Sequence, residues 1–364
     1  MRLRSALLVV SLSVVGCKKE EPAPPPPPPA PKPVEKVEEK PKAIEIGADK
    51  LGAFAALPAD MASAENPSTD EKVALGRMLY FETRLSKNHD VSCNSCHALD
   101  KFGVDNQPTS KGHKGQLGAR NSPTVYNAAL HLAQFWDGRA ANVEEQAKGP
   151  VLNPVEMALP DAKAAEKVLA SIPEYVDAFK KAFPGDKNPV TFDNMAKAIG
   201  AFERKLVTPG RWDKFLAGDK AALTEAEKAG FLKFAEVGCT ACHSGPNLGG
   251  AMYMKLGLVA PWPNTKDEGR AAITKNEADK FMFKASALRN IEKTAPYFHD
   301  GSVATLPEAV KLMAKHQLGK ELNDADTTSI VAFLGALTGE LPTALIAAPE
   351  LPKSTAKTPK PNPN

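Results

Sequence analysis

The sequence predicts a mainly α-helical fold built from two similar units, and three observations support this prediction. The pattern Cys-x-x-Cys-His occurs twice, at residues 93–97 and 239–243. A capping-box sequence and apolar residues at helical spacing precede each copy, starting at residues 68–71 and 224–227. Patterns typical of strands are scarce. Further helices are predicted at residues 161–179, 192–205 and 324–337.

The repeated pattern is the attachment signature of c-type haem. Its two thiols can form thioethers with both haem vinyl groups, and the next imidazole is then held over the ring as an axial iron ligand. A zinc site would not need a histidine directly after each pair, and a redox-active Cys-x-x-Cys would need a βαβ context. We therefore predict two covalently bound haem c groups in two cytochrome-c-like domains packed against each other. Their attachment residues are Cys93, Cys96, His97, Cys239, Cys242 and His243.

Length and composition are those of a globular protein with two domains. The chain has 364 residues, of which 43% are apolar and 24% are charged. A formal net charge of +3 favours no polyanionic partner, so nucleic-acid binding is not expected.

The N-terminus predicts export and attachment to a membrane. Residues 1–16 combine a basic start with an apolar run that is too short to span a bilayer, as in a signal peptide. The signal ends in Val-Val-Gly before Cys17, which resembles the lipobox of bacterial lipoproteins and predicts lipidation of Cys17. The alternative is a plain signal peptide with an unrelated cysteine. We expect a periplasmic lipoprotein, anchored to a membrane.

Proline clusters at both ends of the chain and suggests the domain boundaries. Residues 17–47 form a Pro-rich linker, and residues 346–364 are predicted to be a disordered Pro/Lys-rich tail. Between them we place an N-terminal haem domain at residues 48–206 and a C-terminal haem domain at residues 207–345.

The second axial position of each iron separates electron transfer from reaction with a substrate. For the second haem the candidate is Met313, because a capping box with proline at residues 305–308 predicts that it lies on a short helix. Core packing is its ordinary alternative role. Competing thioethers are Met252, Met254 and Met282. For the first haem the candidate is His113, in a glycine-rich segment suited to a mobile loop, unless it is merely an exposed histidine.

Five further blocks of sequence, in the same order, resemble the bacterial di-haem cytochrome c peroxidases. This resemblance extends from residue 65 to residue 339. The blocks are residues 120–124, 135–139, 153–157, 288–290 and 294–301. It implies that the first haem has a low potential and reacts with peroxide, with His97 as its fixed ligand and His113 as its labile ligand. The second haem would then have a high potential, with His243 and Met313 as ligands.

The resemblance also implies roles for residues around the haems. Glu156 matches the acid–base residue of the peroxide pocket, and Gln146 matches its neighbour. Trp136 matches the tryptophan between the two haems, although a tryptophan serves equally well in a core. A carboxyl group in a dry pocket suits proton transfer, since desolvation raises its pKa toward neutrality. One calcium ion is expected at the domain boundary, with oxygen ligands from Asn121, Thr294 and Pro296.

The implied activity is the reduction of hydrogen peroxide to water with two electrons from a small redox protein, either a cytochrome c or a cupredoxin. A homodimer is also expected. One alternative is a related di-haem enzyme that oxidises tryptophans of a partner protein, but that relative carries tyrosine where this chain has Met313. Another is an electron-transfer cytochrome with two six-coordinate irons, against which the glycine-rich loop and Glu156 argue.

Overall fold

The computed structural model describes residues 8–13, 16 and 43–364, and residues 43–364 form one compact unit. Cys17 and most of the predicted signal and linker lie outside the described residues. In the part of the chain that is described, no helix is both long and apolar enough to cross a membrane.

The described chain is mainly helical, which confirms the predicted fold class. The helices are α1 (Ala48–Leu51), α2 (Asp70–Tyr80), α3 (Cys93–Cys96), α4 (Val143–Leu152), α5 (Ala162–Ala170), α6 (Pro173–Ala182), α7 (Phe192–Glu203), α8 (Arg211–Leu216), α9 (Glu225–Val237), α10 (Ala271–Thr274), α11 (Leu306–Leu318), α12 (Asp324–Gly335) and α13 (Thr343–Ile346). Two short antiparallel strands, β1 (Tyr253–Lys255) and β2 (Met282–Lys284), form a two-stranded sheet. Short 3-10 turns occur at Thr83–Leu85, Leu99–Lys101, His113–Gly115, Ala128–Leu130, Cys239–Ala241, Glu277–Asp279 and Ile291–Lys293.

Side-chain caps define where the main helices begin. The Thr224 hydroxyl accepts the Glu227 amide at the start of α9, and the Glu227 carboxylate accepts the Thr224 amide, as the capping box predicts. At the start of α11 the Thr305 hydroxyl accepts the Glu308 amide at 3.4 Å, which is one of the two hydrogen bonds of the predicted capping box. At α2 the cap is Thr69 rather than Ser68, because the Thr69 hydroxyl accepts the Lys72 amide.

One predicted helix is two helices in the structure. The expected helix at residues 161–179 ends at Ala170, and α6 begins at Pro173. Proline has no amide hydrogen and its ring clashes with the preceding turn, so Pro173 fits the first turn of a new helix but not a helix interior.

Two hydrophobic cores are built on the same helix contact. In the first core α2 packs on α7 so closely that a Cβ at Gly76 would lie 1.9 Å from the Ala198 carbonyl oxygen. In the second core α9 packs on α12, and a Cβ at Gly230 would lie 2.0 Å from the Ser329 carbonyl oxygen. Glycine therefore permits the same close approach of helix backbones in each unit.

The segment before α2 packs on the second core. Phe54 makes an edge contact with Trp212 at 5.6 Å between ring centroids. The Leu57 amide donates to the Asp213 carboxylate at 2.8 Å. Residues 48–57 thus pack with the second unit, whereas the sequence placed them in the first domain.

The C-terminal tail packs on the first core, which corrects its predicted disorder. Arg84 donates to the Pro352 carbonyl oxygen at 2.8 Å and to the Ser354 hydroxyl at 3.0 Å. The Thr355 hydroxyl donates to the Ser171 carbonyl oxygen at 2.9 Å. A Pro/Lys-rich composition predicts no core, but partners elsewhere in the chain can still hold such a segment through its backbone carbonyls and hydroxyls.

Candidate active site

The first attachment motif folds as a short helix that ends at its histidine. Cys93 and Cys96 both lie in α3, have free thiols and line one large cavity together with His97. The His97 Nδ1 atom lies 3.4 Å from the Gly103 carbonyl oxygen. Burial lowers the pKa of His97, which keeps the ring neutral. With Nδ1–H directed at a carbonyl, Nε2 is the nitrogen free to bind iron.

The second motif repeats this arrangement. It follows α9 through Gly238, whose φ of 104° permits the tight turn into Cys239. The His243 Nδ1 atom lies 3.2 Å from the Leu248 carbonyl oxygen, and burial lowers the pKa of this ring too. Cys242 and His243 line a second cavity. Free thiols next to a correctly oriented neutral imidazole fit covalent haem at both motifs.

Each attachment motif lines one of the two cavities. The first has a volume of about 980 Å³, within the roughly 300–1,000 Å³ of ordinary small-molecule pockets, and the second has about 180 Å³.

The first cavity contains the predicted acid–base residue. Glu156 and Gln146 both line it, with Gln146 on α4 and Glu156 just after that helix. The Asn153 amide donates to the Glu156 carboxylate at 2.9 Å. Burial raises the pKa of Glu156, against the opposing effects of Arg139 and this hydrogen bond. This carboxyl group therefore retains a proton more readily than an exposed glutamate does.

His113 lies beside this cavity rather than in its wall. Its side chain is buried, with 6% exposure, but it is not among the described residues that line either cavity. Its backbone amide donates to the Glu156 carbonyl oxygen at 2.7 Å. His113 Nδ1 has no hydrogen-bond partner in the described part of the chain. Its predicted role as a labile ligand stays a prediction.

The second cavity has an apolar wall with two thioethers. Met313 on α11 and Met254 on β1 line it, whereas Met252 and Met282 do not. His299 also lines it and stacks on Phe283 with 4.3 Å between ring centroids. The four candidate thioethers are thus reduced to two.

Known proteins resemble the chain over most of its length. The family model for di-haem cytochrome c peroxidase matches residues 70–221. The chain is 50% identical to a cytochrome c551 peroxidase from Pseudomonas aeruginosa over 81% of this chain and 86% of that protein. A cytochrome c551 peroxidase from Nitrosomonas europaea is 48% identical over 84% of this chain and 91% of its own length. The chain belongs to the di-haem cytochrome c peroxidase family.

This peroxidase also resembles a solved structure of its family. The crystal structure of a MauG-like protein associated with microbial copper homeostasis superposes with a TM-score of 0.68 at 29% identity. The superposition covers 80% of this chain and 95% of the chain of the MauG-like protein. The protein is thus an oxidoreductase with two haem c groups.

Trp136 of this peroxidase lines both cavities. Its indole Nε1–H donates to the Asn121 carbonyl oxygen at 2.9 Å. The ring makes an edge contact with His299 at 6.4 Å between centroids. One fixed aromatic side chain is therefore shared by the two predicted haem sites.

Asn121 connects Trp136 to the segment that carries the other two predicted calcium ligands. Its amide donates to the Gln107 carbonyl oxygen at 3.0 Å, and its backbone amide donates to the His299 carbonyl oxygen at 2.8 Å. Among described residues, the carbonyl oxygens of Thr294 and Pro296 accept no hydrogen bond. Uncommitted oxygens of this kind fit a hard cation such as calcium.

Sequence reasoning missed two buried ionisable residues in the walls of the cavities. Glu203, the last residue of α7, lines the first cavity, and burial raises its pKa to about 8. Lys284 lines the second cavity. Each lies in a segment that reads as an ordinary amphipathic element, so the sequence carries no signal of their burial.

Proposed function

We propose that the first cavity is the site of hydrogen peroxide reduction and that the second receives electrons from a small redox protein, a cytochrome or a cupredoxin. The observation that carries this assignment is the difference between the two walls. Glu156 and Gln146 line only the first cavity, and Met313 lines only the second. A proton-transfer group suits chemistry on peroxide, whereas a thioether suits an iron that only transfers electrons.

Bound haem supplies the iron that reacts with peroxide and the one-electron chemistry. Each turnover consumes one hydrogen peroxide, two electrons and two protons and yields two water molecules. Glu156 takes the proton of the near peroxide oxygen and gives it to the departing oxygen. Its raised pKa suits both steps, because burial makes this carboxyl group hold a proton more readily than an exposed glutamate does. Gln146 orients the peroxide from the same wall, and Trp136 shortens the path between the two sites.

His113 is proposed as the ligand that leaves the first site on activation. It lies in a glycine-rich loop that adjoins the cavity without entering it, which is the position expected of a displaced ligand. Replacing His113 with glycine should give peroxide turnover without prior reduction. An unchanged need for reductive activation would contradict this role.

The finer features of the protein are also proposals. One calcium ion bound by Asn121, Thr294 and Pro296 would stabilise the backbone that holds Trp136. Elemental analysis should then find one calcium per chain. We also propose a periplasmic protein with a lipid anchor at Cys17 that forms a homodimer. Mass spectrometry of the mature N-terminus and sedimentation analysis would test the anchor and the dimer.

Spectroscopy tests whether one haem reacts with peroxide while the other only transfers electrons. We would record absorption and EPR spectra of the oxidised protein, then after half-reduction with ascorbate, and finally after addition of peroxide. We expect one haem to reduce with a His/Met signature while the other becomes high-spin and consumes peroxide. Two low-spin haems that do not react with peroxide would contradict the proposal and remove the role given to Glu156.

A further inference from the structure

One buried lysine lines the second cavity. Lys284 lies at the end of β2, opposite Tyr253 of β1, and is 7% exposed. Among the described residues that line this cavity it is the only lysine, arginine, aspartate or glutamate. The first cavity, in contrast, is lined by Arg120, Arg139 and several carboxylates. A single lysine in a largely apolar wall requires an explanation.

Two neutral groups of the same loop accept hydrogen bonds from this ammonium group. Lys284 Nζ lies 2.7 Å from the Ala133 carbonyl oxygen and 3.0 Å from His131 Nδ1. Burial and the nearby Lys284 charge hold the pKa of His131 well below its usual value, so the ring is neutral and accepts at Nδ1. A lysine has three donors, and the third finds no acceptor among the described residues.

No carboxylate of the described chain pairs with Lys284. Burial, opposed by the charge of Asp137, lowers the pKa of Lys284 to about 7. The Asp137 carboxylate is already paired with two arginines, at 2.5 Å to Arg120 and 3.1 Å to Arg139. A buried charge with only neutral partners is costly, so an anionic partner from outside the chain is expected.

Haem brings such a partner into the cavity, since it carries two propionate carboxylates. We propose that Lys284 is a positioning residue of the second haem, whose ammonium group pairs with a haem carboxylate and raises the reduction potential of that haem. A positive charge in a low-dielectric wall stabilises the electron-rich reduced state, and the effect is strong where water is excluded. The backbone amide of Lys284 donates to the Trp136 carbonyl oxygen at 2.8 Å, so the same residue also fixes the strand beside the shared tryptophan.

The experiment compares Lys284→Gln and Lys284→Arg in the holoprotein by redox titration of both haems. Lys284→Gln removes the positive charge but keeps the hydrogen bond from the backbone amide to Trp136. Lys284→Arg keeps the charge and this hydrogen bond. We expect Lys284→Gln to lower the equilibrium constant for one-electron reduction of the second haem at least tenfold, which lowers its reduction potential by about 59 mV. The His/Met spectrum of this haem should stay intact. Lys284→Arg should restore most of that loss, and the first haem should change little.

Lys255→Gln is the matched control, because Lys255 is an exposed lysine on the paired strand β1. It should leave both potentials unchanged. A wild-type potential in Lys284→Gln would overturn the proposal, as would an equally low potential in Lys284→Arg. If Lys284→Gln does not retain haem, the result for Lys284→Arg tests the proposal. A Lys284→Arg protein that also loses haem, or whose second haem has a lowered reduction potential, would contradict the proposed role of the positive charge.

Discussion

The backbone amide of His113 donates a hydrogen bond to the carbonyl oxygen of Glu156 at 2.7 Å. The candidate labile ligand and the candidate acid–base residue therefore belong to adjoining backbone segments. A displacement of either segment would strain this hydrogen bond, so we expect a movement of the His113 loop to disturb the position of Glu156.

Replacing Gly112 with alanine should disturb this contact. A Cβ there would lie 2.1 Å from the Val155 carbonyl oxygen and 2.6 Å from the Glu156 Cα atom, so the loop must move. We expect peroxide turnover to fall at least about tenfold with both haems still attached. Gly118→Ala is the control in the same loop, because its nearest atom would be 3.7 Å away. Equal activity in the two variants would show that the contact does not matter for turnover.

Replacing Glu156 with glutamine should remove most peroxide turnover. General acid–base catalysis contributes roughly 10²–10⁴-fold, and the amide cannot accept and return the proton. Turnover with a reduced donor is measured together with haem content, which should be unchanged. Glu174→Gln, at an exposed position of α6, should behave like the wild type. Near-normal turnover in Glu156→Gln would rule out the acid–base role.

Glu203 should make the stability of the protein depend on pH. Its folded pKa of about 8 is above the ordinary value of 4.5, so the native state binds the proton more tightly than the unfolded state. Its contribution to stability is complete below pH 4.5 and is lost as the pH rises through 8, at most about 1.4 kcal/mol per pH unit. Glu203→Gln should match the wild type near pH 5 and be more stable above pH 8 in urea unfolding. A stability difference independent of pH would contradict this expectation.

Deleting residues 348–364 should weaken the first unit. Arg84 would lose the Pro352 and Ser354 acceptors, and hydrogen bonds to charged groups are worth about 1.5–3 kcal/mol. We expect a lower unfolding midpoint with unchanged haem spectra. Deleting only residues 363–364 keeps these bonds and the bond from the Asn362 amide to the Lys87 carbonyl oxygen, so it should have little effect. The same midpoint in both deletions would mean that the packed tail adds no stability.

Local chemistry explains what could be predicted from the sequence. The haem motifs and the caps at Thr224 and Thr305 depend on residues within a few positions of each other, so their spacing alone carries the information. The family resemblance then pointed to Glu156 and Trp136, which do line the expected cavities.

Contacts between distant residues explain what could not be predicted. Nothing in the composition of the tail shows that the Pro352 carbonyl oxygen will accept a hydrogen bond from Arg84, 268 residues away. Likewise Glu203 and Lys284 look like polar positions of a helix and a strand, and only the three-dimensional packing makes them buried.

The exchange of terminal segments between the two units has a consequence for folding. Leu57, which contacts the second unit, is made 156 residues before its partner Asp213, and Arg84 of the first unit is made 268 residues before its partner Pro352. Each unit therefore gains native contacts only when residues far along the chain have been made, and contacts of such wide sequence separation slow folding. A cut between the two haem motifs would therefore yield two fragments that each lack part of their own core.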